Sequence, residues 1–366
     1  MRFSPTGQTA RSAILCALAV SVAWFDLPVW ATVLLVVAWV GLSAAMAQAS
    51  RPPMVTLRML GRKKGESVAD VAKPKAGRRP RFKLEAMPVS HFVEHVRWSL
   101  DLAGVPYEEE TNCGILNMLF GGFSVPRLFD KVTATVIGDS SAALEHVRAQ
   151  VGKEYPALES LATRSAVVDE WDMKLSYYGH MVQRYCYALL LAPVDVDSRF
   201  CLVGWGGFDK ECPLVQRMAV RALYPRIKSM MTQALRLKDK EAVDAAHRYL
   251  TDIFDQVDAA IAQHDCLAGD TNEPPKRYLL GGTSPSWVDI KFASLSGPLL
   301  TRTLFTGGGK AGDASVLYAR GRFQSFKILR DLDFPKDTVD FEDSFAKRPC
   351  GQYAVRLYRT LRSAQL

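Results

Sequence analysis

Two groups of polar residues stand where the sequence predicts the start of a helix. Ser90 directly precedes one amphipathic segment, and Asp139-Ser140 opens another. Helix starts leave backbone N–H groups without partners, so hydroxyl and carboxylate groups cap the helix there. The same N–H groups also favour a negatively charged ligand. Each position can therefore be a helix cap or a binding group.

The segments around these residues predict an alternation of strands and helices. Between Ser90 and Ala103, apolar residues recur at three- and four-residue steps, which is typical of a helix, and Gly104 would end it. Short strands are predicted at 82–87, 125–129 and 133–137, and a second helix begins at 138. An α/β unit is expected here.

The chain from residue 154 onward predicts helices almost throughout. The clearest are 166–191, 213–236 and 240–264, and an amphipathic helix is predicted at 348–362. The segment 193–212 is rich in glycine and contains Trp205, which predicts a loop. That loop could act as a lid or be an ordinary surface insertion.

In order and spacing, several motifs resemble those of the glutathione transferase family. They are the stretch SHFVEHVRWSLDLAGVPY from Ser90, then Val125-Pro126, then Asp139-Ser140-x-Ala142, and finally Ser286-x-x-Asp289 in the helical part. The resemblance implies a thioredoxin-like α/β domain at 81–152 and an all-α helical domain at 153–366. Two departures concern the site: only 18 residues separate Tyr107 from Pro126, and Ser124 stands where many members have lysine.

The resemblance also implies a site for glutathione. Ser90 would be the catalytic residue, its hydroxyl donating to the glutathione thiolate. Asp139 and Ser140 would bind the γ-glutamyl group, and a cis Pro126 would leave the backbone of Val125 to pair with the tripeptide. Lowering a thiol pKa by two units requires about 2.7 kcal/mol, and one hydrogen bond to a charged group supplies about 1.5–3 kcal/mol. On the alternative interpretation, Ser90 and Asp139-Ser140 are only caps and Val125-Pro126 is an ordinary loop.

Ser286 and Asp289 predict a capping box, which is a folding element.

The N-terminal part predicts a membrane anchor at 1–50. The runs 12–25 and 27–50 are uncharged and are separated only by Asp26. As a helix, the second run would reach ~36 Å, enough for a hydrocarbon core about 30 Å thick. The first run would reach only ~21 Å. A hairpin, or an interfacial helix followed by one span, fits both runs. A cleaved signal peptide is the alternative, but its apolar region is only about 7–15 residues long.

The net charge of +8 comes from one short strip. Residues 51–83 hold eleven basic and two acidic side chains, whereas 84–366 hold 33 basic and 35 acidic ones. The body is therefore almost neutral, which speaks against a nucleic-acid partner. The strip predicts a basic, flexible linker at 51–80, and its position after the apolar run predicts that the folded domains face the cytosol.

The cysteines and histidines predict no metal site. The seven cysteines are scattered without a CxxC pair, which argues against a disulfide scaffold or zinc ribbon and suits a reducing compartment. The six histidines are also dispersed, and His91 and His95 are expected to be solvated on the surface.

Three functions from different classes follow. The leading one is a membrane-anchored glutathione transferase of the detoxification type, with glutathione as co-substrate, which acts on a hydrophobic electrophile or reduces a peroxide. The resemblance also implies a homodimer. The alternative is a non-catalytic binding or scaffold protein, which the two departures favour. A thiol-transfer enzyme comes last, because it would need a cysteine where Ser90 stands.

Overall fold

The computed structural model describes residues 80–113, 125–306 and 327–362 of the 366-residue chain. The predicted anchor at 1–50 lies outside these ranges, as does the linker at 51–80 apart from its last residue. Across the ranges described, no helix combines the length and apolar character needed to cross a bilayer. Membrane attachment stays a prediction.

A four-stranded mixed sheet forms the N-terminal part of the fold. Its strands are β1 (Phe82–Ala86), β2 (Tyr107–Thr111), β3 (Arg127–Asp130) and β4 (Thr135–Ile137), in the order β2-β1-β3-β4. β1 and β2 are parallel, and β3 runs antiparallel to both β1 and β4. The strand predicted at 133–137 begins two residues later, because the turn before it extends to Ala134, which has a φ of 57°.

Two helices complete this α/β unit as the sequence predicts. Helix α1 (His91–Leu102) connects β1 to β2, and helix α2 (Ser140–Val151) follows β4. Gly104 has a φ of 68°, a left-handed conformation that glycine adopts without steric cost, and it ends α1 where expected. The arrangement is the thioredoxin-like order of strands and helices that the sequence analysis expected.

Ten further helices follow within the described ranges. They are α3 (Pro156–Leu161), α4 (Ala166–Leu190), α5 (Arg199–Gly204), α6 (Leu214–Ala222), α7 (Tyr224–Ala234), α8 (Lys240–His264), α9 (Trp287–Ser296), α10 (Lys327–Arg330), α11 (Lys336–Lys347) and α12 (Pro349–Leu357). Short 3-10 turns lie at Gly152–Glu154 and Gly297–Leu300, and wider π turns at Arg302–Thr306 and Tyr358–Arg362. The prediction of a mixed sheet followed by a helical part is confirmed.

Two helix predictions need correction. The helix predicted at 213–236 is two helices, divided at Leu223. Proline lacks the N–H that a helix interior requires, so Pro225 is accommodated in the first turn of a new helix. The helix predicted at 348–362 ends at Leu357, and the chain continues as a π turn.

Most of the core lies between the sheet and the long helices. α1 contacts the sheet unit's α2 on one side and α9 of the helical part on the other, so residues 93–100 are all buried. A second, smaller apolar cluster is formed mainly by residues 193–238, a segment called the cover below, and includes Cys201, Trp205 and Cys212. The prediction of a plain loop at 193–212 is therefore wrong: the segment contains α5 and packs against the end of β2.

Candidate functional site

The sheet brings the predicted site residues to one edge. β1 and β3 are antiparallel with Glu85 opposite Arg127, so Pro126 lies beside the end of β1. β4 pairs with β3 through Ile137 and Leu128, so its end reaches the same edge. Ser90 follows β1, Val125-Pro126 precedes β3 and Asp139-Ser140 follows β4. Five residues spread over 51 positions of sequence therefore belong to one side of the sheet.

Ser90 is the N-cap of α1. Its Oγ accepts a hydrogen bond from the backbone N–H of Val93 at 3.4 Å, and its own N–H donates to the carbonyl of Met87 at 3.3 Å. The predicted cap is confirmed. A hydroxyl that accepts in this way keeps its proton for donation to a second group. Ser90 is 5% exposed, so it is almost wholly buried in this arrangement.

Asp139 and Ser140 form the start of α2. The Asp139 carboxylate caps the helix by accepting from the N–H of Ala142 at 2.9 Å, and the residue is exposed. Ser140 is the first helical residue and is only 3% exposed. The carboxylate therefore faces solvent at a helix N-terminus, whereas the serine side chain is directed into the protein.

The peptide bond between Val125 and Pro126 is cis, as the resemblance implied. Pro126 is buried and Val125 is half-buried. On the opposite side of β1, the carbonyl of Ala86 accepts a hydrogen bond from the N–H of Asn112 at 2.9 Å. This bond connects the end of β1 to the residue that follows β2. The backbone of Val125 stands at the margin of the sheet beside that end.

Histidines that the sequence analysis placed on the surface belong to this region instead. His91 Nε2 donates to the carbonyl of Gly179 at 2.9 Å, and burial lowers the pKa of His91 to about 4. The ring of Phe92 lies 5.1 Å from that of His180, whose pKa burial lowers while nearby Asp139 raises it. The start of α1 is therefore packed against α4 next to Asp139. The surface prediction for His91 is wrong because its ring packs against the backbone of α4.

His95 is fully buried, with an exposure of 0%, and neither ring nitrogen has a hydrogen-bond partner. Its ring packs edge-on against Trp287 at 5.3 Å. Burial, together with the charge of Lys291, lowers the pKa of His95 to about 3, so the imidazole is neutral. The neutral His95 ring therefore fills space between α1 and α9 as an apolar side chain would.

A polar network that the sequence analysis missed joins α2 to the helical part. Lys291 Nζ donates to Asp172 Oδ1 at 2.5 Å, to Ser141 Oγ at 2.8 Å and to Ser176 Oγ at 2.7 Å. Trp287 Nε1 donates to the same Asp172 oxygen at 2.6 Å. Burial lowers the pKa of Lys291 against the opposing effect of Asp172. The signal in the sequence is one lysine in the otherwise uncharged run from Ile290 to Leu300.

The network places Ser141 beside the predicted site. Ser141 follows Ser140 directly, and its hydroxyl also donates to Asp172 at 2.9 Å. The helix start that carries Asp139 and Ser140 is therefore held by side chains from α4 and α9. This makes the helix start rigid.

The cover packs against the loop before Ser90. Gly206 has a φ of 77°, and a Cβ built there would lie 3.3 Å from the Pro88 ring. Gln216 of α6 accepts from the N–H of Cys113 at 2.9 Å and donates to Asn112 Oδ1 at 2.9 Å. The cover is thus fastened to the end of β2 and contacts the β1–α1 loop. Sequence periodicity could not reveal this contact, because it joins segments more than 100 residues apart.

Other potential sites lie away from this edge. An open depression of about 580 Å³ is lined by Ser165, Trp171, Gln256, Gln263 and His264, none of which is a predicted site residue. Within the ranges that the structure describes, no group of His, Cys, Asp or Glu side chains is arranged to hold a metal ion.

Three of the described cysteines have raised thiol pKa values. Burial raises the pKa values of Cys186 and Cys201 to about 12 and that of Cys266 to about 11. A thiol-transfer enzyme needs a lowered cysteine pKa. These three residues therefore do not suit the third function considered from the sequence.

The chain matches no known family model and no curated protein sequence. Among solved structures it is similar to glutathione transferases. Ure2p5 from Phanerochaete chrysosporium, cocrystallized with 1-(S-glutathionyl)-2,4-dinitrobenzene, shares 14% identity over 75% of this chain and 93% of its own, with a TM-score of 0.36. A glutathione transferase family member from Pseudomonas fluorescens, with two glutathione bound, shares 14% sequence identity. The match covers 75% of this chain and 92% of the other, with a TM-score of 0.37. A theta class glutathione S-transferase from Xanthomonas axonopodis shares 17% sequence identity. The match covers 77% of this chain and 100% of the other, with a TM-score of 0.34. Such low values identify no family for the chain.

Proposed function

We propose that this protein binds glutathione at the sheet edge and activates its thiol, as a glutathione transferase-like enzyme. The observation that carries the proposal is the convergence at one edge of a capping hydroxyl at Ser90, a cis Val125-Pro126 bond and an exposed carboxylate at Asp139. A tripeptide with a thiol, a free amino-acid end and a central backbone needs these three kinds of partner.

Ser90 would stabilise the thiolate. An unperturbed cysteine thiol has a pKa of about 8.5, so it is mostly protonated at neutral pH. Ser90 keeps its hydroxyl proton to donate, and it stands at the N-terminus of α1, where partial positive charge is concentrated. A hydrogen bond to a charged acceptor contributes about 1.5–3 kcal/mol, enough to lower the thiol pKa by one to two units.

The ends of the tripeptide would meet the other two elements. The exposed Asp139 carboxylate pairs with an ammonium, and the N-terminus of α2 suits the neighbouring carboxylate. The backbone of Val125 is placed to pair with the cysteinyl backbone as an added strand would. The α2 start is pre-organised by Ser141 and Lys291, which lowers the cost of ordering on binding.

The second substrate would be a hydrophobic electrophile or a peroxide received next to α4. Met173 and Tyr177 are 70% and 51% exposed, and they share a helix face with His180 at steps of four and three residues. His180 contacts Phe92 in the first turn of α1. An apolar molecule on this face would lie close to the thiolate that Ser90 stabilises.

A second candidate function is a non-catalytic glutathione-binding or scaffold protein. The specific observation in its favour is the contact of Gly206 with Pro88, together with the 5% exposure of Ser90. If the cover keeps this position, glutathione can reach Asp139 more easily than Ser90. Binding would then persist without thiol activation.

Membrane attachment through 12–50 is part of the leading proposal. The uncharged 24-residue run is long enough to span a bilayer, and the basic strip that follows it favours the cytosolic side. The linker at 51–80 would then connect the anchor to β1, holding the folded part near the membrane surface.

The test separates the two candidates. Binding of glutathione to the full chain in detergent is measured by titration calorimetry, and the thiolate is followed by its ultraviolet absorbance as a function of pH. Binding with a thiol pKa lowered by one to two units supports the enzyme. Binding with an unshifted thiol supports the scaffold, and absence of binding refutes both.

A further inference from the structure

Cys113 and Cys212 are brought together by the tertiary structure. Cys113 comes two residues after β2, and Cys212 comes two residues before α6. The neighbouring Cys113 thiol is the main cause of the raised pKa of Cys212, and burial is the second. Both also converge on Gly206: Cys113 Sγ donates to its carbonyl at 3.5 Å, and Cys212 Sγ lies 2.6 Å from the position that a Cβ on Gly206 would take.

The backbone around the two thiols is held in place. Cys113 and Cys212 are 0% and 1% exposed and belong to the apolar cluster under the cover. Gln216 binds both the N–H of Cys113 and the side chain of Asn112, and so fastens α6 to the end of β2. Because both sulfurs lie beside Gly206 and the backbone around them is fastened, forming a bond of about 2.05 Å requires only a local closing movement.

We propose that Cys113 and Cys212 form a reversible disulfide, with oxidised glutathione as the oxidant. One cysteine thiolate attacks a sulfur of oxidised glutathione, forming a mixed disulfide and releasing one glutathione thiolate, which takes up a proton. The second protein cysteine then attacks the sulfur of the first protein cysteine in the mixed disulfide, which forms the protein disulfide and releases the second glutathione. Two protein thiols are oxidised and one molecule of oxidised glutathione is reduced to two of glutathione.

Burial determines how this reaction would proceed. The adjacent Cys113 thiol and burial both raise the pKa of Cys212, so the closed form is a poor nucleophile. Exchange therefore requires the cover to open locally. Intracellular disulfides of this kind are usually transient and redox-sensing.

The disulfide would tie the cover to the end of β2. The cover also contacts Pro88, in the loop before Ser90. The oxidised form would therefore hold the cover against the Ser90 edge and reduce access for glutathione. This consequence and the choice of oxidant rest on the proposed function, whereas the disulfide itself does not.

The test is peptide mapping of the full chain in detergent. The protein is incubated with oxidised glutathione, free thiols are alkylated, and trypsin releases residues 98–127 and 211–217, each with a single cysteine. We expect these two peptides to be cross-linked at least ten times more than any other pair, and reduced glutathione to reverse the bond. A parallel sample is treated with diamide, which forms disulfides without needing a glutathione site.

The two oxidants separate the outcomes. Cross-linking with both supports the proposal. Cross-linking with diamide alone overturns oxidised glutathione as the oxidant and speaks against the glutathione site. Cross-linking with neither, while both peptides are recovered alkylated, overturns the disulfide.

Matched variants provide the control. Cys212→Ala should abolish the cross-link, whereas Cys201→Ala should leave it. Cys201 is also buried under the cover, but its thiol donates to the carbonyl of Leu190 at 3.6 Å. If Cys201→Ala lowered the yield as much as Cys212→Ala, the cross-link would depend on general packing and not on this pair.

Discussion

Arg362 Nε donates to Glu94 Oε1 at 2.6 Å, which joins the end of the helical part to the central helix of the α/β unit. The Arg362 side chain is fully buried, and its Nη1 also binds Asp101 at 2.6 Å. Glu94 in turn accepts from Arg97 at 3.1 Å. The π turn after α12 is therefore bound to α1 by charge as well as by packing.

Replacing Arg362 should remove its ion pairs with Glu94 and Asp101 and lower the stability of the fold. Arg362→Met keeps most of the apolar stem but removes the cation that binds both Glu94 and Asp101, and breaking a buried pair costs about 3–5 kcal/mol. Thermal unfolding followed by circular dichroism should show a Tm lower by on the order of 10 °C. Exposed Lys347, replaced by alanine, is the control and should change little. An equal Tm for both variants would mean that the π turn contributes nothing to holding α1.

Lys291 should be essential for stability in a pH-dependent way. Lys291→Met removes the nearer of the two cations that pair with the buried Asp172 carboxylate and leaves only Arg164 at 3.3 Å, at a cost of up to about 3–5 kcal/mol. In the wild type, the ion pair and hydrogen bonds lower the pKa of Asp172 against the effect of burial. Without the lysine, Arg164 and the hydrogen bonds from Trp287 and Ser141 remain, so the pKa of Asp172 should be lowered less and the folded state should take up a proton more readily.

The sign of the pH effect follows. The lowered pKa of Asp172 contributes stability to the wild type above the unfolded pKa of about 3.9, this stability is lost as pH falls towards the folded pKa, and the variant has less of it to lose. Lys291→Met should therefore lie closer to the wild type at pH 4 than at pH 7 in urea unfolding. The double variant with Asp172→Asn should recover part of the loss at pH 7. A difference from the wild type that is constant with pH would indicate a packing defect alone.

Asp289 should contribute more to the free energy of unfolding than an ordinary helix cap does. It is fully buried and accepts from the N–H and Oγ of Ser286, at 2.7 and 2.5 Å, completing the capping box predicted from sequence. It also accepts from Leu279 N–H at 2.9 Å and Tyr353 Oη at 2.7 Å. Asp289→Ala should therefore cost on the order of 3 kcal/mol, compared with about 1 kcal/mol for Ser286→Ala. Equal melting temperatures for the two variants would limit Asp289 to capping.

Ser90 is tested by the thiolate it is proposed to stabilise. Ser90→Ala should leave the fold intact, since the loss of one cap costs about 1 kcal/mol. The pKa of bound glutathione should rise by one to two units, and turnover at neutral pH should fall roughly ten- to hundredfold and recover in part at alkaline pH. Identical titrations for wild type and variant would leave Ser90 as a cap only. Ser90→Cys should lose conjugation and gain mixed-disulfide formation with glutathione.

Membrane attachment is tested by extraction. The full chain should stay in the membrane pellet through high salt and alkaline carbonate, because an apolar anchor is not held by charge. A chain shortened to begin at residue 80 should be found in the supernatant. Release of the full chain by salt alone would show electrostatic surface binding and refute the anchor.

Local order was predictable from sequence because its signals lie within a few residues. Ser90 and Gly104 mark the two ends of α1, and the structure places both as predicted. α8 begins and ends at the predicted residues, Lys240 and His264. The capping box at Ser286 and the cis bond before Pro126 were also expected. Caps, periodicity and short motifs carry this information because neighbouring residues determine the backbone conformation.

Only the tertiary structure shows what covers these elements. His91 and His95 look like surface residues because histidine is polar, yet α1 is enclosed by the sheet and α9, and burial makes both rings neutral. Residues 193–212 resemble a loop because their glycines break the periodicity, but they contain α5, and the carbonyl of Gly206 accepts from the thiol of Cys113 just after β2. Lys291 and Asp172 are 119 residues apart, so the ion pair that holds the start of α2 is not visible as a motif. Burial and charge pairing depend on which distant surfaces meet, and no local pattern in this sequence specifies that.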